Sequence, residues 1–342
     1  MPQIISLYSG CGGLDLGFKS AGFKTVLATD VWDVACETIK KNNLSDLVIN
    51  DDIRNINFKE YNGKIVGVIG GPPCPPFSQA RHYLQDKKKG FEDEKAGFAV
   101  PEYFRVIKEV NPKFFLFENV DGFMYKTHQD ALDYLESESD QLGYNVTYKV
   151  VNSANYGVPQ TRKRFICVGV KKELPKFEFP LETHCDPEKK QQGKCNWVTC
   201  GDVISDFDNI NEEELEQKPG SKHHSLMKDI PPGENYLFYT EKKGHPKPLF
   251  EWKSRYWTFL LKLTPDRPSW TIQASFSNNQ GPFHWKNRFL RIEEIKRIQT
   301  IDDNYKLEGN FKEQWRQVGN AVPSKLAEVF AKEIFKHLSN KK

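Results

Sequence analysis

Gly70-Gly71-Pro72-Pro73-Cys74-Pro75-Pro76-Phe77-Ser78-Gln79 follows an apolar run, Ile65 to Ile69, that reads as a buried strand. The two glycines break the strand, and four prolines around one cysteine stiffen the turn after it. A thiol in such a turn sits at the carboxyl end of a strand, where open α/β sheets place their ligands. The same composition also describes a proline-rich surface turn with an incidental thiol, because most free cysteines are small core hydrophobes. The flanking sequence decides between the two.

Upstream, Ile4 to Tyr8 is a short β-rich run that stops at Ser9-Gly10-Cys11-Gly12-Gly13, and an amphipathic stretch, Leu14 to Ala21, follows. Strand, glycine turn and helix together let a ligand approach backbone N–H groups and a helix N-terminus. A second strand, Thr25 to Thr29, ends at Asp30, whose carboxylate can accept hydrogen bonds from both hydroxyls of a ribose. After a helix over Asp33 to Asn42, a third strand, Leu47 to Asn50, runs into Asp51-Asp52-Ile53. Asp52 suits an adenine amino group and Ile53 a flat ring, although an aspartate there caps a helix equally well.

Downstream, Arg81 to Gly97 is polar, with Lys87-Lys88-Lys89-Gly90, and reads as a functional loop. A helix over Val100 to Val110 precedes a fifth strand, Lys113 to Phe117, that ends in Glu118-Asn119-Val120. A thiol and a carboxylate are thus expected at one edge of one sheet. Val146 to Val151 and Phe165 to Val170 read as two more strands, with Gln160-Thr161-Arg162-Lys163-Arg164 between them. Alternation on an extended segment puts Arg162 and Arg164 on one face. Residues 176–275 have no clear period and read as a second, irregular domain; Arg288 to Thr300 reads as a basic helix, Gln317 to Pro323 as a turn, and Ser324 to Leu338 as a final helix.

The 342 residues, 38% hydrophobic and 28% charged, can bury a sizeable core. No apolar run approaches a membrane span, and Met1-Pro2-Gln3 starts no signal peptide. Seven scattered cysteines suggest reduced thiols in a cytoplasm-like compartment. The net charge of +3 hides an asymmetry: residues 242–342 carry 20 Lys+Arg against 10 Asp+Glu, which suggests a polyanionic partner. Within that portion, a phosphate contact or plain solvation suits Lys253, Arg255, Lys262 and Arg267 better than base reading. Cys185, Cys195 and Cys200 lack the paired spacing of a metal knuckle, so no metal is expected.

Six ordered segments resemble the cytosine-5 DNA methyltransferases of bacterial restriction–modification systems: Ser9 to Gly13, Pro73-Cys74, Glu118-Asn119-Val120, Gln160 to Arg164, Arg288 to Gln299 and Gly319 to Pro323. Order and rough spacing agree outside about residues 176–270. The departures are Pro75 after the cysteine, Tyr8 for a stacking Phe, Val31 with Trp32 after the ribose acid, and Ile301-Asp302 for a Phe-Pro. None touches the thiol, the carboxylate or the arginines.

The resemblance implies a Rossmann-like α/β methyltransferase fold, a mostly parallel sheet with helices on both faces. Residues 1–178 and 312–342 would form the catalytic and cofactor-binding domain, and 179–311 a smaller target-recognition domain. The implied reaction moves a methyl group from S-adenosylmethionine to carbon 5 of a flipped-out cytosine in a short duplex sequence, through a Cys74 adduct at carbon 6. Catalysis would fall to Cys74, Glu118, Arg162 and Arg164. The cofactor would meet Tyr8, Ser9, Gly10, Cys11, Gly12, Gly13, Leu14, Asp30, Val31, Asp52, Ile53, Pro72, Asn320 and Ala321, and Pro73, Phe77, Ser78 and Asn119 would shape the substrate loop. Double-stranded DNA is the implied partner of a cytoplasmic monomer, with a cognate endonuclease sharing the site but not bound. The tRNA branch of the same fold is the alternative; its Cys-Phe-Thr tripeptide is absent here.

Overall fold

The computed structural model describes residues 1–73, 97–210, 215, 223–253 and 256–339. They form two compact units: Met1–Ser153 with Lys163–Glu182 and Val322–Lys342, and Ala154–Arg162 with Thr183–Ala321. In chain order the elements of the first two-thirds are β1 (Gln3–Leu7), α1 (Gly13–Ser20), β2 (Lys24–Asp30), α2 (Asp33–Lys41), β3 (Leu47–Asn50), β4 (Gly67–Gly70), α3 (Ala99–Val110), β5 (Phe114–Val120), α4 (Gln129–Gln141), β6 (Tyr144–Asn152), β7 (Gln160–Thr161), β8 (Lys163–Lys171), β9 (His184–Cys185), β10 (Cys195–Asn196) and α5 (Cys200–Ile204). Then come β11 (Ser269–Trp270), α6 (Ile292–Ile298), α7 (Phe311–Asn320) and α8 (Ser324–Ser339).

The first unit is built on a seven-stranded sheet in the order β3-β2-β1-β4-β5-β8-β6. The five strands from β3 to β5 are parallel, and β8 runs antiparallel to both β5 and β6. Buried parallel strands read as continuous apolar runs, and Ile4, Ile5 and Leu7 of β1 and Phe114 to Phe117 of β5 are 0–1% exposed. Alternate residues serve opposite faces. Ile5, Leu7, Phe115 and Phe117 pack with Tyr103 and Phe104 of α3 and Leu132 and Leu135 of α4. Phe114 instead meets Phe18 of α1 and Phe23, and Phe23 meets Phe335 of α8. Both faces are therefore covered by helices, as expected. The two helices of that second face pack closely, since a Cβ on Gly17 would lie 2.4 Å from Ala327 Cβ and from the Glu328 nitrogen.

Strand order reverses between β1 and β4, so their carboxyl ends open onto the crevice where ligands bind in such sheets. The loops leaving that crevice are Tyr8 to Gly13 and Gly71 to Pro73. Because β8 is antiparallel, its start at Lys163-Arg164 reaches the edge where β5 ends, with Val120 opposite Arg164.

The second unit holds little regular structure: β7 pairs with β11, β9 pairs with β10, and α5 to α7 are short. One of its cores gathers Met227, Ile230, Tyr236, Tyr239, Leu260, Phe283 and Phe289. In this unit Arg288 makes a two-pronged pair with Glu294 (2.8 Å at each oxygen) and also donates to the Phe207 carbonyl. Those contacts hold Arg288 outside the expected helix, and α6 begins only at Ile292.

Two further elements differ from expectation. Residues 317–320 are not a turn but the end of α7, whose start is marked by a capping box between Asn310 and Glu313. α4 was not expected, because its apolar side is narrow: among its residues only Ala131, Leu132, Leu135 and Ser139 are buried.

Candidate active site

Asp30 closes β2, and its carboxylate is aimed by two backbone groups: Gly10 N–H donates to Oδ2 (2.8 Å) and Trp32 N–H to Oδ1 (2.9 Å). Gly10 and Gly12 sit at φ +53° and +79°, a backbone region that glycine enters without steric cost. Those conformations let the turn leave β1 and enter α1 within five residues. Ser9 is bound into the floor, its hydroxyl donating to the Ser6 and Thr29 carbonyls. Cys11 and Leu14 are buried beneath the turn, and burial pushes the Cys11 thiol up to about 12. Tyr8 anchors the start of α3, its hydroxyl donating to the Ala99 carbonyl (2.8 Å). Val31, next to Asp30, is 73% exposed. An aimed carboxylate beside an exposed apolar side chain fits a ribose with an attached ring.

Asp52 has a local partner. Arg54 closes on it through Nε (3.0 Å) and Nη2 (2.6 Å), while its guanidinium lies 4.1 Å over the Phe98 ring. The Arg54 hydrogen bond holds the Asp52 carboxyl below the usual aspartate range. Asp52 also caps the turn Ile53–Asn55 by accepting from Arg54 N–H, and Ile53 is 5% exposed in the core.

At the edge where β5 and β8 meet, Arg164 Nε stands 2.8 Å from Glu118 Oε1, each side chain 12% exposed. The other oxygen of Glu118 lies against Gly71, where a Cβ would come within 2.6 Å of it. A Cβ there would push that oxygen aside. Asn119 donates from Nδ2 to the Pro72 carbonyl (3.3 Å), which ties the end of β5 to the stretch leading into Cys74. Cys74, Phe77 and Ser78, like Arg255, lie outside the described residues. Pro72 is buried and Pro73 exposed.

Arg162 does not share a face with Arg164. The extended segment breaks at Arg162, between β7 and β8. Its buried guanidinium donates to the carbonyls of Ile272 (2.9 Å) and Gly319 (2.8 Å), within the second unit. Gln160 likewise donates to Gln299, which donates in turn to the carbonyls of Val318 and Ala321. Gln160 and Arg162 thus order the chain around Asn320 and Ala321. Their sequence neighbours gave no hint of these partners, more than a hundred residues distant. Arg54 and Gly71 are the participants that sequence reasoning missed; Gly71 was legible only as a strand breaker.

Lys262 is buried and donates to the carbonyls of Met227 and Ile230, and burial lowers its pKa. It is not a solvated surface cation. Arg267 pairs with Asp186 and Glu188. Among the described residues no group of three or more His, Cys, Asp or Glu is arranged to hold a metal, and no helix is long and apolar enough to cross a membrane.

A seven-stranded, mostly parallel sheet covered by helices on both faces is the fold of the α/β methyltransferases. The chain belongs to the C-5 cytosine-specific DNA methylases, whose family model matches residues 2–336. It is similar to the type II methyltransferase M.SacI of Streptomyces achromogenes, 35% identical over 98% of this chain and 93% of that one. It is also similar to M.MthTI of Methanothermobacter thermautotrophicus, 36% identical over 98% of both chains. A DNA modification methyltransferase encoded within an E. coli prophage shares the fold, with a TM-score of 0.71 at 21% identity over 99% of this chain and 100% of that one. The protein is a DNA cytosine-5 methyltransferase of the restriction–modification kind, the DNA branch of the fold being favoured over the tRNA branch. Membership implies S-adenosylmethionine as methyl donor and DNA as substrate.

Proposed function

We propose that this enzyme methylates cytosine through a covalent adduct of Cys74. Carbon 5 of cytosine is a weak nucleophile. Addition of the Cys74 thiolate to carbon 6 moves ring electrons onto carbon 5, while Glu118 delivers a proton to N3 and keeps the ring from carrying the full negative charge. S-adenosylmethionine supplies the electrophilic methyl group. Loss of the carbon-5 proton to solvent then expels the thiolate, N3 returns its proton to Glu118, and S-adenosylhomocysteine leaves as the spent donor, which restores the ring. Arg164 holds Glu118 and offers its remaining N–H groups to the cytosine O2, and Asn119 braces the approach to Cys74. Arg162 orders the end of α7 and Ala321 from within its own unit, a supporting part rather than contact with the base.

The donor would rest on the Tyr8 to Leu14 turn, with its ribose on Asp30 and its adenine between Val31, Asp52 and Ile53; Pro72 completes the set. Because stacked bases shield carbon 6, the cytosine must leave the helix, at a cost of a few kcal/mol. Residues 179–311 supply target recognition, with 1–178 and 312–342 as the catalytic part. The enzyme works as a cytoplasmic monomer beside an endonuclease that reads the same site without binding it.

The observation that carries this reading is the Arg164–Glu118 pair, with Gly71 packed against it three residues before Cys74. Bisulfite sequencing of DNA from cells making the protein should reveal methylated cytosines at one short sequence. Cys74→Ala should erase them while DNA binding survives, and DNA containing 5-fluorocytosine should trap the parent enzyme covalently. Undiminished methylation by Cys74→Ala would remove the mechanism.

A further inference from the structure

We propose that the edge formed by Trp257 and Trp270 is a contact surface for duplex DNA. The inference rests on the target-recognition role given above to the second unit. Exposed large apolar side chains are unevenly spread over the described residues. Of eleven, five belong to one stretch of this unit: Leu249, Trp252, Tyr256, Trp257 and Trp270. Concentrated exposed rings mark an interaction site more often than scattered ones do.

Trp257 and Trp270 are 40% and 42% exposed and meet edge to face, with ring centroids 4.4 Å apart. Both are held from behind. The Trp257 carbonyl accepts from the buried Asn235 side chain (2.7 Å). Just before it, Tyr236 bonds Lys253 twice, donating its hydroxyl hydrogen to the carbonyl and accepting from the N–H. Trp270 sits in β11 opposite Thr161 of β7, and the next residue, Thr271, donates to the Thr161 carbonyl. With the backbone of both residues held and each ring packed on the other, the pair has less side-chain freedom to lose on contact than two isolated exposed rings would.

The chemistry of the surroundings selects the partner. Much of the cationic surplus of residues 242–342 is used internally: Lys262 on carbonyls, Arg267 on Asp186 and Glu188, Arg288 on Glu294, and Arg297 on Asp206 and Asp303. In the same stretch of chain, Lys242 lies 4.2 Å over Trp252, and the half-exposed Lys253 stands 3.7 Å from the exposed Glu251 carboxylate. Aromatic rings and lysines on one stretch match the sugars and groove edges of a duplex flanked by its phosphates.

The test uses the full chain, unmethylated plasmid DNA and radiolabelled methyl donor. Replacing both rings (Trp257→Ala with Trp270→Ala) should lower kcat/KM for plasmid DNA at least tenfold, chiefly through KM. Binding of S-adenosylhomocysteine and Tm should stay at parental values. The salt dependence of DNA binding should keep its slope, since no phosphate contact is removed. Phenylalanine at both positions should restore the rate to within threefold. Should the alanine variant fail to fold, the parent decides: plasmid DNA must protect both indoles from N-bromosuccinimide, read by mass spectrometry. A folded alanine variant that methylates plasmid DNA at the parental rate overturns the proposal. So do indoles equally reactive with and without DNA, and so does a variant changed only in its sedimentation mass, which would assign the edge to a protein contact. An inactive parent would count against the catalytic reading, while the protection experiment still judges the surface without turnover.

Discussion

Arg164 reaches Glu118 diagonally across an antiparallel ladder. Val120 is its opposite number, Glu118 lies two residues back on the same face, and the charged groups meet at 2.8 Å. Diagonal neighbours on one face of a sheet are within reach of long side chains, so the reversed direction of β8 itself creates the pair.

Arg164→Lys keeps the charge but loses the planar fork that can hold a carboxylate and face a second acceptor. It should lower the single-turnover methylation rate roughly 100-fold, the scale seen when one preorganised donor is removed, with cofactor affinity unchanged by calorimetry. Glu118→Gln should cost about 10²–10⁴-fold, as loss of a general acid does. A lysine variant within threefold of the parent would show that the fork has no part in the reaction.

Gly71→Ala should slow methylation at least tenfold with little change in Tm. The new Cβ would fall 2.6 Å from Glu118 Oε2, and a carboxylate can swing aside more cheaply than the backbone can move. Rate and melting temperature measured together decide this. A large fall in Tm at parental rate would mean that the backbone yields instead.

Asp15 is fully buried in the first turn of α1 and accepts hydrogen bonds from Ser6 (2.9 Å) and Thr25 (3.0 Å). Burial raises its pKa from the ordinary 3.8 to about 6. A raised carboxyl pKa means that the folded state holds the proton more tightly. Its contribution to stability is complete below about 4 and is lost as pH rises through 6, amounting to roughly 3 kcal/mol. Asp15→Asn, which keeps the shape, should therefore gain on the parent in Tm between pH 4 and pH 7 and hold that gain above. A Tm difference that stays flat across this range would contradict the assignment.

Local patterns made most of the first unit legible. β3 was expected at its observed limits, and β1, β2, β5 and α3 within a few residues, because buried parallel strands and amphipathic helices write their periods directly into the chain. α4 and the body of α7 were not, since their apolar sides are narrow and polar residues dominate both. The fate of the arginines was illegible for another reason. Arg162 and Arg164 differ by two positions and share a charge, yet Arg162 donates to the distant carbonyls of Ile272 and Gly319, while Arg164 reaches a carboxylate besides the adjacent Lys163 carbonyl.

The succession of strands and helices along the chain, the glycine turn, the acid closing β2 and the glutamate near the end of β5 were determined by the sequence alone, because each depends on neighbours a few residues away. Only the tertiary structure decided which cations are internal, what a side chain on Gly71 would displace, and which two tryptophans stand half-exposed together. Those outcomes depend on groups that meet only after the chain has closed on itself, as when Arg162 meets Gly319.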